Sequence, residues 1–387
     1  MIPNRAASAA QYTKSQGTHV RNSMTSTAMP GAQEERLQKE LLERVSRTFA
    51  LTIPALPPAL ARVVGNAYLL CRIADTIEDA AALDPEALDA QCERFIAVVE
   101  GHDDAVGFAS GFLPHLAAHA SADERRLIEC TPQVLAVTAS FSDYERQALA
   151  ECVRVMGRGM VAFQRRKSVA GLADLDEHAE YCYVVAGCVG EMLTRLFVHY
   201  LPELEPRRDE LMARAVSFGQ CLQMTNILKD FWEDRANGAC WLPRDVFLDE
   251  GLDLAEVTPG DPRFARGYRR LIGLAHAHAD SALEYTLALP AREPGLRNFC
   301  LWALYMAVVG HRKLLDHPGF ASGAEVKISR RTVRRVVLWC RLAAKRDVAL
   351  RSSFKWLTRG LPAPYPGDAA AGVPPAGADR GSAGVAA

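Results

Sequence analysis

The period of its apolar residues limits most strongly how this chain can fold. Leu37, Leu41, Val45 and Phe49 recur at helical spacing. So do Leu60, Val63, Val64, Ala67 and Cys71, and again Leu211, Ala215, Phe218, Leu222 and Ile227. No long segment alternates with period two, so amphipathic helices are expected and strands are not. Pro and Gly mark the joins, at Pro57 and Pro58, Gly101, Pro202, Pro243, Pro259 and Gly260, and Pro290. The expectation is an all-α, single-domain helical bundle.

That bundle is expected over residues 34–360. Residues 1–33 are polar and poor in periodic apolar positions, which reads as disorder. Residues 361–387 are Pro, Ala and Gly with few charges and read as a flexible tail. With 387 residues, 49% of them hydrophobic, the chain can bury a large core. A net charge of −1 gives no footing for nucleic acid. The ten cysteines are scattered with neither C-x-x-C nor zinc spacing, as expected of buried thiols in a reducing compartment. The first residues lack the apolar core of a secretory signal, and the apolar run 299–309 is too short to span a bilayer. A soluble, cytoplasmic protein is expected.

Two acidic motifs carry the chemistry. Tyr68, Arg72, Asp75 and Asp79 fall on one helical face, with Glu78 beside them. Three carboxylates within about one turn repel each other unless a cation sits among them. Mg²⁺ suits such a set, because it takes oxygen ligands from one or two carboxylates and from substrate phosphate. A solvated acidic helix end is the alternative for this motif alone. In the second motif Gln223, Asn226, Asp230 and Asp234 share a face, flanked by Lys229 and Glu233. A buried amide without partners costs about 1–3 kcal/mol, so amides aligned with carboxylates suggest a wet polar seam. Facing each other across a bundle, the two clusters could hold several Mg²⁺ ions around a diphosphate.

Four ordered stretches give a resemblance: Ser46-Arg47-Thr48-Phe49, YLLCRIADTIED (68–79), YCYVVAGCVGEMLTRLF (181–197) and CLQMTNILKDFWEDRANGACWLP (221–243). Over residues 46–337 the chain resembles the squalene and phytoene synthases. The resemblance implies an isoprenoid-synthase bundle with a central active-site cavity, a prenyl diphosphate substrate, and Mg²⁺ held by Asp75, Glu78, Asp79, Asp230, Glu233 and Asp234. It implies diphosphate contacts from Ser46, Arg47, Arg72, Gln223, Asn226 and Lys229. The last stands where family members often carry Arg, so the bidentate fork is lost. Tyr181, Asp75 and Asp230 are the implied catalytic residues. Phe49, Tyr68 and Phe299 are candidates for lining the pocket and sheltering a carbocation. Gly187 and Gly190 suit close approach of a ligand or of another helix.

Within the family, residues 296–331 look more like the squalene branch, at Asn298-Phe299-Cys300 and Val326-Lys327-Ile328. This implies coupling of two farnesyl diphosphates followed by NADPH reduction, with Lys327 and Arg330 as candidate NADPH contacts. No G-x-G-x-x-G follows a strand, so the nicotinamide site is not of the Rossmann type. Phytoene or dehydrosqualene synthesis without reduction is the alternative; a terpene cyclase or a non-catalytic relative is a more distant one. Residues 330–359 hold ten Arg and Lys against one acid, Asp347, with Val333, Val336, Val337, Cys340, Ala344 and Val348 near helical spacing. A helix packed on the domain, or peripheral contact with the inner face of a membrane, would explain that pattern.

Overall fold

Helix starts are written by short local signals. Pro58, Pro262 and Pro294 open helices at the first turn, where a missing N–H costs nothing. Ser121 with Glu124, and Ser142 with Glu145, form reciprocal capping boxes. The structure, a computed structural model, describes residues 31–46, 48–80, 83–116, 120–366 and 368. The helices that build the molecule are α1 (Gly31–Val45), α2 (Pro58–Glu78), α3 (Pro85–Val99), α4 (Ala122–Glu129) and α5 (Asp143–Gln164). They continue with α6 (Leu175–Tyr200), α7 (Arg208–Ala236), α8 (Pro262–Ala288), α9 (Pro294–Asp316), α10 (Arg330–Ala343) and α11 (Asp347–Thr358). No strand occurs among the described residues; a lone bridge pairs Leu172 with Pro243. The all-α expectation holds.

The apolar faces gather into two clusters. One is built mainly from α1 to α5 and the second half of α6, around Leu69, Phe95 and Phe197, with the first turns of α7 and α9 and the end of α8 added. The other joins α7 to α11 and includes Phe231, Phe264 and Trp302. Tyr183, Val185 and Phe218 pack against both. The acidic motifs lie at this junction: the first ends α2, and the second lies near the end of α7.

α6 is long and apolar enough to cross a membrane by length and composition, but 56% of its apolar window is buried in the protein. Within it Tyr183–Gly187 form a π-helical turn, a feature often found at functional segments. Glycine lets α6 approach α7. A Cβ on Gly190 would lie 2.2 Å from the Ala215 carbonyl oxygen, and one on Gly219 2.2 Å from that of Ala186. Of the two roles open to Gly190, helix contact is the one the packing supports.

Two readings of the termini change. α1 already begins at Gly31, within the segment expected to be disordered; residues 1–30 lie outside the described residues. At the other end, Leu361, Pro362 and Asp368 are buried rather than free, while Ala363, Tyr365 and Pro366 stay exposed. Leu361 is buried, and His276 Nδ1 lies 3.1 Å from the Pro362 carbonyl oxygen. Arg270 grips the buried Asp368 carboxylate through two nitrogens, each at 2.9 Å. A buried carboxylate is tolerated because this fork satisfies it, something that composition alone does not reveal. The rest of the expected tail lies outside the described residues.

Gly219→Ala should destabilise the protein by about 1–3 kcal/mol, since its Cβ meets backbone that cannot rotate away. Gly31→Ala meets nothing within 4 Å and should leave the denaturation midpoint unchanged. Equal midpoints for the two variants would refute the close helix crossing.

Candidate functional site

Helical spacing does bring the acidic motifs to a common space. A cavity of about 750 Å³ is lined by Arg72, Asp75, Glu78 and Asp79 from the end of α2. Gln223, Asn226, Asp230 and Asp234 of α7 line it from the other side, and Tyr181 of α6 forms part of the wall. A second cavity, of about 520 Å³, shares Asn226 and Asp230 with the first and extends past Phe49, Met306 and Ile328 to Lys327.

The carboxylates disturb one another. Burial pushes Asp75 up to about 6; the Arg72 cation opposes the rise and the Asp79 carboxylate adds to it. Burial pushes Asp234 up to about 7, aided by Asp230 and Glu233, opposed by Lys229, and aided again by Asp79 on the other motif. Burial also raises Glu78 well above the ordinary carboxylate range, with Asp79, Asp75 and Asp234 contributing and Lys167 opposing. Repulsion therefore acts between the motifs as well as within each. A cation between them would relieve it. No group of three or more acidic, His or Cys side chains among the described residues could hold a metal by itself. Any ion here would complete its shell with substrate oxygens and water, as Mg²⁺ commonly does.

Arg72 reaches Asp75 at 3.1 Å and Glu124 at 2.6 Å. Glu124 is set by its own capping box: its other oxygen accepts from the Ser121 amide at 2.8 Å and the Ser121 hydroxyl at 2.9 Å. The Arg72 Nε is buried and finds no partner among the described residues, leaving a donor beside the cavity. Tyr181 is 6% exposed. Its ring stacks on Trp241 at 4.3 Å and meets the edge of Phe163 at 5.1 Å. Burial, then the charges of Glu78, Asp234 and Asp75, raise its phenol well above the usual value, so the hydroxyl stays protonated.

Other expected residues sit elsewhere. Glu233 does not line the first cavity; it faces the second, where its Oε1 accepts from the Gly323 amide at 2.9 Å. Lys229 also lines the second cavity, paired with Asp230 at 2.9 Å and donating to Asn226 Oδ1 at 3.3 Å. The buried Ser46 hydroxyl accepts from the Phe49 amide at 2.9 Å and lines neither cavity. Arg47 lies outside the described residues.

Phe49 lines the second cavity, with Tyr68 packed behind it at 5.1 Å; the Tyr68 hydroxyl donates to the Val45 carbonyl at 3.3 Å. Phe299 is core, edge-on to Phe197 at 6.1 Å, rather than pocket. Lys327 lines the second cavity, whereas Arg330 starts α10 and lines neither.

Glu124, Gln164, Lys167 and Trp241 also line the first cavity, although no motif singled them out. Gln164 donates to the Glu78 carbonyl at 3.4 Å, while its buried Oε1 lacks a partner among the described residues. Trp241 could have been noticed at the end of the second motif's quoted run. Glu124 carries only a capping-box signature, which says nothing of a distant arginine.

The chain is similar to known proteins in both sequence and fold. The squalene synthase of Eremothecium gossypii is 29% identical over 285 residues, 72% of this chain and 62% of that protein. That of Candida albicans is 29% identical over 306 residues, 77% and 66%. The chain thus spans slightly less than two thirds of the length of these relatives. Among solved structures, a ligand complex of TcSQS superimposes with a TM-score of 0.66 at 23% identity, covering 84% of this chain and 91% of that one. A dehydrosqualene synthase superimposes at 0.61 with 18% identity, covering 81% and 97%. These two support the fold. The family model described as squalene/phytoene synthase matches residues 42–332, and with the motifs it covers the conclusion follows that the chain belongs to the squalene/phytoene synthase family.

Proposed function

We propose that this protein is a squalene synthase. It would join two farnesyl diphosphates head to head, with Mg²⁺, into presqualene diphosphate, and then reduce that intermediate to squalene with NADPH. The observation that carries this reading is the common wall of the two cavities. Asn226 and Asp230 line both, so a coupling partner in each would meet beside the carboxylates. The squalene synthases among its relatives, and the resemblance of residues 296–331 to the squalene branch, support the same choice.

The donor set fits a hard divalent cation. Asp75, Asp79, Asp230 and Asp234 would hold it, and bound Mg²⁺ would neutralise the diphosphate as it departs. Arg72 adds a fixed positive charge and an unpaired donor for phosphate oxygens. With its phenol protonated, Tyr181 acts as a donor toward a departing group, not as a resident base. Its ring, backed by Trp241 and Phe163, offers an aromatic face near developing positive charge and keeps water away. Lys327, which lines the second cavity, would meet a phosphate of NADPH. The same reading places the enzyme in the cytoplasm, at a membrane that receives its apolar product.

Three measurements test this. Product analysis with farnesyl diphosphate and Mg²⁺ should give squalene only when NADPH is present; products from C20 substrate alone, whatever the reductant, would contradict the proposal. Tyr181→Phe keeps the stacking and removes the hydroxyl, and should lower kcat by about 10²-fold or more with little change in KM. An unchanged kcat would remove the hydroxyl from the mechanism.

The third concerns pH. Asp75 and Asp234 have folded values above the ordinary 3.8, so their protonated forms favour folding. Their contribution is complete below about pH 4 and is lost as pH rises through about 6 to 7. In metal-free protein this should lower the melting temperature across that window, and added Mg²⁺ should raise it by an increment that grows with pH. An increment independent of pH would exclude these carboxylates as the metal site.

A further inference from the structure

Ten large apolar side chains stand exposed among the described residues, and five belong to α10 and α11: Leu338, Trp339, Leu342, Val348 and Trp356. Leu338 is 61% exposed, Leu342 66%, Val348 78% and Trp356 72%. A cluster of this kind marks a surface that meets something other than water.

It is not the apolar stripe seen in the sequence. Val336, Cys340 and Ala344 of that stripe are buried against the domain, Val333 and Val337 are half-buried, and only Val348 is open. The opposite side of α10 carries a second stripe, Arg331, Arg335, Leu338 and Leu342, which Lys345 continues in the turn after the helix, at alternating spacings of four and three. All five are exposed. On α11, Val348, Lys355 and Trp356 point away from the buried Leu350 and Phe354.

The charge of this surface has one sign. Asp347, the sole acid of residues 330–359, is occupied by the buried Arg297 at 2.5 Å. Arg351 is paired with Glu284. Arg331, Arg335, Lys345 and Lys355 form no ion pair among the described residues.

We propose that the outward faces of α10 and α11 dock the protein on an anionic lipid surface. Leucine and tryptophan among unpaired Arg and Lys suit the boundary between head groups and acyl chains. Lipid phosphates supply the dense negative charge that the face lacks. A second copy would set like charges against each other, which disfavours self-association here. The proposal deepens the membrane contact in the functional reading but does not depend on which product the enzyme makes.

The test is co-sedimentation of the full chain with vesicles of phosphatidylglycerol and phosphatidylcholine, compared with phosphatidylcholine alone. The wild type should bind the anionic vesicles, and added salt should weaken binding. R331E/R335E/K345E and L338S/L342S/W356S should each bind about tenfold or more weakly. Every substituted side chain is exposed, so circular dichroism and melting temperature should match the wild type. Tryptophan emission should shift to the blue on binding and fail to do so for the serine variant. Equal binding by all three proteins, or no binding of the wild type, would overturn the proposal. So would a wild-type dimer that the serine substitutions dissolve in the absence of lipid. Pelleting does not read turnover, so failure of the squalene assay would leave this proposal standing.

Discussion

Repulsion between carboxylates on α2 and α7 is the constraint on which this molecule turns. Asp75, Glu78 and Asp79 face Asp230 and Asp234 across one cavity. Burial and mutual charge raise Asp75, Glu78 and Asp234, and the effect of Asp79 on Asp234 crosses the gap. A fold selected only for stability would not keep this arrangement. The surrounding structure absorbs it through two helices locked by glycine contacts on one side and two apolar clusters behind.

The positive side of the site depends on local structure elsewhere. Glu124 closes the first turn of α4 with Ser121 and extends its free oxygen to Arg72. One residue thus ties a helix start to the orientation of the Arg72 cation beside the cavity. On α7, Lys229 pairs with Asp230 from the second cavity, while Arg72 and Lys167 line the first. Glu233, which shares that motif, is diverted to the Gly323 amide and ties the segment before α10 to α7.

Sequence periodicity exposed the helices and the two acidic faces, because helical spacing maps directly onto neighbouring side chains. Tyr181 came instead from the family resemblance of the motif around it. Assigning sides took tertiary information. Glu233 and Asp234 are adjacent in the chain, yet one serves each cavity. Phe299 looked like pocket because apolar spacing does not distinguish a cavity wall from core. Gln164 and Lys167 were missed because one ends an ordinary apolar helix and the other follows it, and they become site residues only where α5 ends beside α2. Asp368 sat in a run whose composition reads as tail; its partner, Arg270, is 98 positions away. The second stripe of α10 was hidden by the more regular apolar stripe on its inner face.

The most direct measurement is a double-mutant cycle across the cavity, using Asp79→Asn and Asp234→Asn in metal-free protein at a pH where both aspartates are charged. If repulsion joins the two motifs, each single substitution stabilises the fold, and the double variant gains less than the sum of the two. Excess Mg²⁺ with an unreactive diphosphate should reverse the sign of each single effect, because a ligand is then lost. Strictly additive gains without metal, together with no reversal in its presence, would contradict the view that these two helices form one site.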